Sequence, residues 1–362
     1  MFQKIKIRIE QELKSYIRGL EKNYHLKSLS PLILRSIKEF ILRKGKRIRP
    51  ILFCIGYLGF AEKVAPGLFR SAVSLELLHD FMLIHDDIID KSDIRRGKPS
   101  MHLMLQRQLP HKKLKFNGQD LAIVIGDVIY ALALDVFLEV KGDPKLKEQS
   151  LKQLISAVLY TGSGEFIELL LGARDLKKVT KKDIYKIYQY KTSNYTFASP
   201  LVMGAILAGA DKKQIKTIFE YGIKLGIAFQ IKDDIIGLFG KSSDTGKPNL
   251  TDIQEAKKTL LLWHAYHNST SKDRKIIEKI FSAKNVEEKN LCQIQKIILN
   301  SKSIDFAKKE IDKLRKESES LLQDTGMKPK YQILLKEFSE KILTIEPYLF
   351  HSIDTIGKIM PR

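Results

Sequence analysis

Apolar residues recur three and four apart along most of the chain, the spacing that places them on one face of a helix. The pattern is strongest in SAVSLELLHDFMLIHDDIID (71–90), LKQLISAVLYTGSGEFIELLLG (151–172) and IKTIFEYGIKLGIAFQIKDDIIGLFG (215–240). Alternating strand-like runs bounded by turn residues are scarce. Turn residues cluster at RRGKPS (95–100), LPHKKLKFNGQD (109–120), KGDPK (141–145) and SSDTGKPN (242–249), and these read as loops. From about residue 270 the chain is richly charged but keeps the helical period. The pattern predicts a single all-α domain over 1–362, with nearly apolar central helices and an amphipathic outer layer.

The opening segment MFQKIKIRIEQELKSYIRGL alternates charged and apolar residues and reads as an amphipathic helix rather than a signal peptide. The best candidate membrane span, 121–140, contains Asp127 and Asp135 and is expected to be a buried helix instead. With 362 residues, 44% of them hydrophobic, the chain can bury a substantial core. Its two cysteines, Cys54 and Cys292, are far apart, so a disulfide framework or zinc site is not expected, in keeping with a reducing cytoplasm. A net charge of +21, from 63 basic and 42 acidic residues, fits a solvated lysine-rich surface or attraction to an anionic membrane or substrate. No nucleic-acid module is recognisable, and the basic residues are scattered rather than interleaved with aromatics.

Aspartates inside apolar helical stretches need another explanation. Asp86, Asp87 and Asp90 stand in HDDIID, and Asp233 and Asp234 in FQIKDDIIG. Asp86 and Asp90 are four apart and share a helix face, bordered by Asp87. Carboxylates this close repel unless a cation neutralises them, and hard oxygen ligands suit Mg²⁺ completed by substrate phosphates. Basic groups bracket these acids. They are Lys46, Arg47 and Arg49 in GKRIRP, Arg95 and Arg96 in RRGKP, Lys191 in YKTSNYTFASP and Lys247 in GKPNLTDIQEAKKTLL. Together they have the composition needed to bind two diphosphates, one through metal and one directly through Lys and Arg.

These motifs, in this order from about residue 40 to 262, resemble the trans-isoprenyl diphosphate synthases of the polyprenyl synthetase family. The remainder, 263–362, shares only helical character. The resemblance implies an all-α fold around a deep cavity, with the two aspartate-rich motifs facing each other and three Mg²⁺ ions bridging them to an allylic diphosphate. Carried over, Asp86, Asp87, Asp90, Asp233 and Asp234 are metal ligands. Arg95, Lys191 and Lys247 hold the allylic diphosphate, and Lys46, Arg49, His79 and Arg96 hold isopentenyl diphosphate. Thr192 and Gln230 stand near the developing carbocation. The family also implies a homodimer.

The chain departs from the family pattern in places. Gly237 stands where many members carry a third aspartate of the second motif, Glu165 and Glu168 replace the usual Gln and Asp, and Lys44 replaces a glycine. The stretch 105–116 looks like a loop insertion. Phe81 and Met82, five and four residues before Asp86, lie about one helical turn from the metal motif and are expected to limit product length. An aromatic at the fifth position resembles the geranylgeranyl diphosphate synthases, with farnesyl or longer products as alternatives. A class I terpene cyclase would need a different second metal motif, and a non-catalytic partner subunit would be expected to lack the carboxylates or the basic residues.

Overall fold

A computed structural model describes residues 1–110, 114–240, 249–283 and 285–345. The chain divides into two compact units, one formed by 1–152 with 200–210, the other by 153–199 with the chain from 211 onward.

In the first unit, α1 (Phe2–Tyr24) buries Ile5, Ile9, Leu13, Tyr16, Ile17 and Leu20, one stripe at helical spacing. After α2 (Leu26–Leu29), a proline at the first position, where its missing N–H costs nothing, starts α3 (Pro31–Ile41). Next come α4 (Ile48–Leu58), α5 (Leu68–Ile89), the short strands β1 (Ile94–Arg95) and β2 (Lys98–Pro99), α6 (Met101–Gln106) and α7 (Gly118–Phe137). The α5 helix packs along α7, and α1 and α4 close on α5. Asn117 caps α7, its side chain accepting from the N–H of Gln119 and Asp120 while Asp120 accepts from the Asn117 N–H.

Two expectations change. The segment RRGKPS is a two-strand hairpin rather than a loop, with Ile94 opposite Pro99 and Arg95 opposite Lys98. The α7 helix is not buried all round: one side buries Ile125, Ile129, Leu132 and Val136, while Ile123, Val124 and Asp127 face outward. Of the described helices, α8 (Pro144–Gly172) is the one long and apolar enough to cross a membrane. Only 22% of its most apolar stretch is buried.

In the second unit, α9 (Lys181–Ile187) runs into a π-helix, Tyr188–Ala198; the chain then passes into α10 (Ser199–Leu207), whose residues from 200 on belong to the first unit. The long α11 (Lys212–Phe239) is capped by Asp211 and carries FQIKDDIIG. It packs on the π-helix and on α16 (Ser303–Gln323), which follows α12 (Thr251–Gln254), α13 (Leu260–His267), α14 (Ser271–Phe281) and α15 (Glu288–Asn300). The last described helix is α17 (Pro329–Leu343). Gly222 and Gly226, four apart on α11, let the π-helix in. A Cβ at either would stand 2.5 Å from a backbone Cα, of Ala198 or Ser193 respectively.

Candidate active site

The acids of HDDIID occupy the last turn of α5. The negative end of the helix dipole adds to their mutual repulsion there, so this clustering is unfavourable without a cation. Carboxylate oxygens of Asp86 and Asp90 lie within 4.8 Å of each other. Asp87 is buried and accepts a hydrogen bond from Arg95 Nε at 2.7 Å, while Arg95 also reaches Asp86 at 3.2 Å. Arg95 thus brings one positive charge to three carboxylates. An all-oxygen donor set of this kind fits Mg²⁺.

Arg96 turns the other way. Arg96 and Gly97 both have positive φ, 55° and 73°, and form the two-residue turn between β1 and β2. Arg96 therefore leaves its neighbour's carboxylates, donates to Glu76 at 3.1 Å and forms an ion pair with Asp80 at 3.1 Å. Glu76 and Asp80 are one helical turn apart on α5 and fully buried. Burial would raise the Glu76 carboxyl, but Arg47, with Arg96 and Arg49, holds it below the ordinary range. Asp80 goes the opposite way. Burial drives its carboxyl up to about 8 against the pull of Arg96, and the Glu76 charge adds to the rise. The two carboxyls of the pair are thus pushed in opposite directions, Glu76 down by its arginines and Asp80 up by burial.

Arg47 supports this network from below. It is fully buried, bonds Glu76, donates to Glu10 at 2.7 Å and to the Arg43 carbonyl at 2.8 Å, and itself has φ of 55°. Its neighbours in GKRIRP differ: Lys46 is exposed and Arg49 partly buried. His79 is partly buried on α5. Burial, with Arg49, Arg96 and Arg95 nearby, holds its ring well below the usual histidine range, so it is a neutral hydrogen-bonding group. Phe81 meets His85 edge to face (4.7 Å between centroids) and Tyr130 of α7 at a tilt (5.1 Å). Gly126 makes this possible, since a Cβ there would stand 2.4 Å from His85 Nε2. Met82 is partly buried beside Phe81 in sequence.

In the second unit the π-helix presents Lys191 and Thr192. Its wider turn leaves the Tyr188 carbonyl to be met by the Ser193 hydroxyl at 2.8 Å. Lys191 Nζ lies between Glu165, at 2.5 Å, and Glu168. Thr192 donates to Gln230 Oε1 at 2.6 Å, and Gln230 Nε2 donates to Asp234 at 2.9 Å. Asp234 also accepts from the Tyr188 hydroxyl, which in turn accepts the Leu260 N–H at 2.8 Å. Burial pushes the Asp234 carboxyl well up, the Tyr188 and Gln230 hydrogen bonds oppose this, and Asp252 and Asp233 reinforce it. Asp233 is partly buried next to it. Tyr188 was not singled out from sequence; nothing in YKIYQYKT marks one tyrosine as the partner of an aspartate on another helix.

The polyprenyl synthetase family matches residues 30–298. The chain belongs to the polyprenyl synthetase family. It is 30% identical over 301 residues to the short chain isoprenyl diphosphate synthase of Methanocaldococcus jannaschii, covering 83% of each chain. It is 29% identical over 319 residues to the geranylgeranyl diphosphate synthase of Saccharolobus solfataricus, covering 85% of this chain and 86% of that one. The crystal structure of geranylgeranyl pyrophosphate synthase from Corynebacterium glutamicum has the same fold, with a TM-score of 0.87 at 24% identity and 95% and 99% of the two chains covered.

As a polyprenyl synthetase the chain has unusual details. Gly237 faces Asp252: a Cβ at 237 would meet Asp252 Oδ2 at 2.7 Å. The Asp252 carboxylate therefore lies beside the position where other members place a third aspartate, and Lys257 approaches it at 3.6 Å. Lys258 is buried, with its ammonium 4.8 Å from the Phe281 ring centroid. Lys247 and part of the 105–116 stretch lie outside the described residues.

Proposed function

We propose that this protein is a Mg²⁺-dependent trans-prenyltransferase that joins isopentenyl diphosphate head-to-tail to an allylic diphosphate, with geranylgeranyl diphosphate as its product. The observation that carries the reading is the divergence of Arg95 and Arg96, neighbours in sequence that serve two different carboxylate sets. One arginine belongs with a metal-binding aspartate cluster, the other with a metal-free cationic site. Two diphosphates bound in two different ways need this division.

Asp86, Asp87, Asp90, Asp233 and Asp234 would hold Mg²⁺, which when bound neutralises the leaving diphosphate. Asp252 would add the carboxylate that Gly237 lacks. Arg95 and Lys191 neutralise the allylic diphosphate as its C–O bond breaks and the electron pair passes to the leaving oxygen. Lys46, Arg49, Arg96 and neutral His79 orient isopentenyl diphosphate, whose double bond attacks the allylic carbon; the resulting cation then gives up a proton to the released diphosphate, which re-forms a double bond. Thr192 fixes the Gln230 amide, so that a dipole rather than a nucleophile is offered to the cation. Phe81, braced by His85 and Tyr130, limits chain growth. We read 1–362 as one catalytic domain, because the family match runs through both units.

Leu159, Phe166, Leu169 and Leu170 are each more than half exposed on α8. An apolar stripe of this size suits burial against a second copy, and we propose a homodimer in the cytoplasm with peripheral contact to anionic membrane.

The purified protein should be incubated with Mg²⁺, isopentenyl diphosphate and, separately, dimethylallyl, geranyl and farnesyl diphosphates. A dominant C20 product is expected, and Phe81→Ala should lengthen it. A dominant C15 product from the wild type, or one longer than C20, would overturn the assigned product length. No condensation from any primer would overturn the assigned reaction.

A further inference from the structure

A groove of about 660 Å³ opens in the first unit beside α3. Lys27, Arg35, Lys38 and Lys98 line it. Its carboxylate, Glu39, is already committed, bonding Arg43 at 2.7 Å and Lys98 at 3.1 Å. Arg35 donates only to the neutral Gln108, at 3.0 Å, and Lys27, Arg35 and Lys38 have no ion-pair partner among the described residues. Three cations therefore share one groove without compensation.

The wall of the groove is apolar. Leu34 and Leu42 line it, and Leu42 is 41% exposed. Just before α3, Leu29 is 73% exposed, a large apolar side chain held in water at the edge of a cationic surface. A small free anion would use the charges and leave these leucines wet. An amphiphile with an anionic head and an acyl chain would use both.

We propose that the α2–α3 corner is where this protein docks on an anionic membrane, with lipid phosphates at Lys27, Arg35 and Lys38 and Leu29 entering the headgroup layer. This deepens the reading of peripheral membrane contact and rests on it; it does not depend on which prenyl diphosphate is made. Long-range attraction comes from the whole +21 charge, and the groove supplies the orientation.

The test is co-sedimentation of the full chain with vesicles of phosphatidylcholine alone or mixed with phosphatidylglycerol. The variant is Lys27→Gln/Arg35→Gln/Lys38→Gln. A control of equal charge loss, Lys272→Gln/Lys308→Gln/Lys309→Gln, removes exposed lysines of the second unit. Binding of the wild type should require phosphatidylglycerol and weaken with salt. The groove variant should lose about fivefold per cation, on the order of a hundredfold together, while the control loses far less. Circular dichroism and turnover of soluble substrates should be unchanged in both variants. Equal losses in the two variants would overturn the groove while leaving membrane contact standing. No binding of the wild type to phosphatidylglycerol would overturn both. Binding of inorganic diphosphate, lost in the groove variant while vesicle binding persists, would make this an anion site and overturn the lipid assignment.

Discussion

The buried carboxylates Glu76 and Asp87 of the first unit are partnered by arginine, whereas buried Asp234 of the second is met by a hydroxyl and an amide. Glu76 and Asp87 face guanidinium groups that stay charged at any working pH, and those of Arg47 and Arg96 hold the Glu76 carboxyl below its ordinary range against burial. Asp234 is equally buried, but Tyr188 and Gln230 offer only neutral hydrogen bonds, and burial dominates. The Glu76 carboxyl is thus held toward its charged form by its partners, and the Asp234 carboxyl is held toward its neutral form by burial. Lys191 carries the same lesson in reverse: Glu165 and Glu168 hold it in place before any diphosphate can.

This contrast can be broken by substitution. The largest effect is expected for Asp86→Ala, which removes a proposed metal ligand without disturbing the core. Turnover should fall on the order of 10³-fold with an unchanged circular dichroism spectrum; near-wild-type turnover would remove Asp86 from the site. Glu76→Gln should instead cost stability, about 3–5 kcal/mol in chemical denaturation, because buried Arg47 and Arg96 lose their shared anion. Tyr188→Phe should cost less, about 1–3 kcal/mol, since it unpairs only neutral hydrogen bonds to Asp234 and Leu260. If Tyr188→Phe proved more costly than Glu76→Gln, the contrast between an ionic and a neutral network would be wrong.

The parts of this picture legible in the sequence are those that depend on local spacing. Helical period placed Asp86 and Asp90 on one face of α5, and the loop residues of RRG marked a turn, although not that its two central residues send Arg95 and Arg96 to different carboxylates. The π-helix was not legible. Its apolar spacing does not differ enough from 3.6 over Tyr188–Ala198, and the glycines against which it packs, Gly222 and Gly226, stand far along the chain. Arg47 was grouped with its solvent-facing neighbour Lys46. Its partners, Glu10 and Glu76, stand 37 and 29 residues away, and no local pattern selects them. The exposed side of α7 was misread because an apolar face looks the same in sequence whether core or water covers it.

The smallest effect is also the most discriminating, because it depends on the sign of a titration. Asp80 keeps its proton in the fold up to about pH 8, against an ordinary value of 3.8 in the unfolded chain. A carboxyl raised in this way contributes stability that is fully present below its unfolded value and is lost as pH rises through its folded one. Wild-type stability relative to Asp80→Asn should therefore decline between about pH 4 and pH 8, because the amide does not titrate. Glu76 acts with the opposite sign, its contribution being lost only as pH falls below the ordinary range, but it is present in both proteins and largely cancels in their difference. The same ionisation tightens the hold of Asp80 on Arg96, so the KM for isopentenyl diphosphate should rise toward pH 9 in the wild type and stay flatter in the variant. Parallel stability profiles for the two proteins from pH 5 to pH 9 would mean that Asp80 is already ionised beside Arg96. The first unit would then carry a full second negative charge.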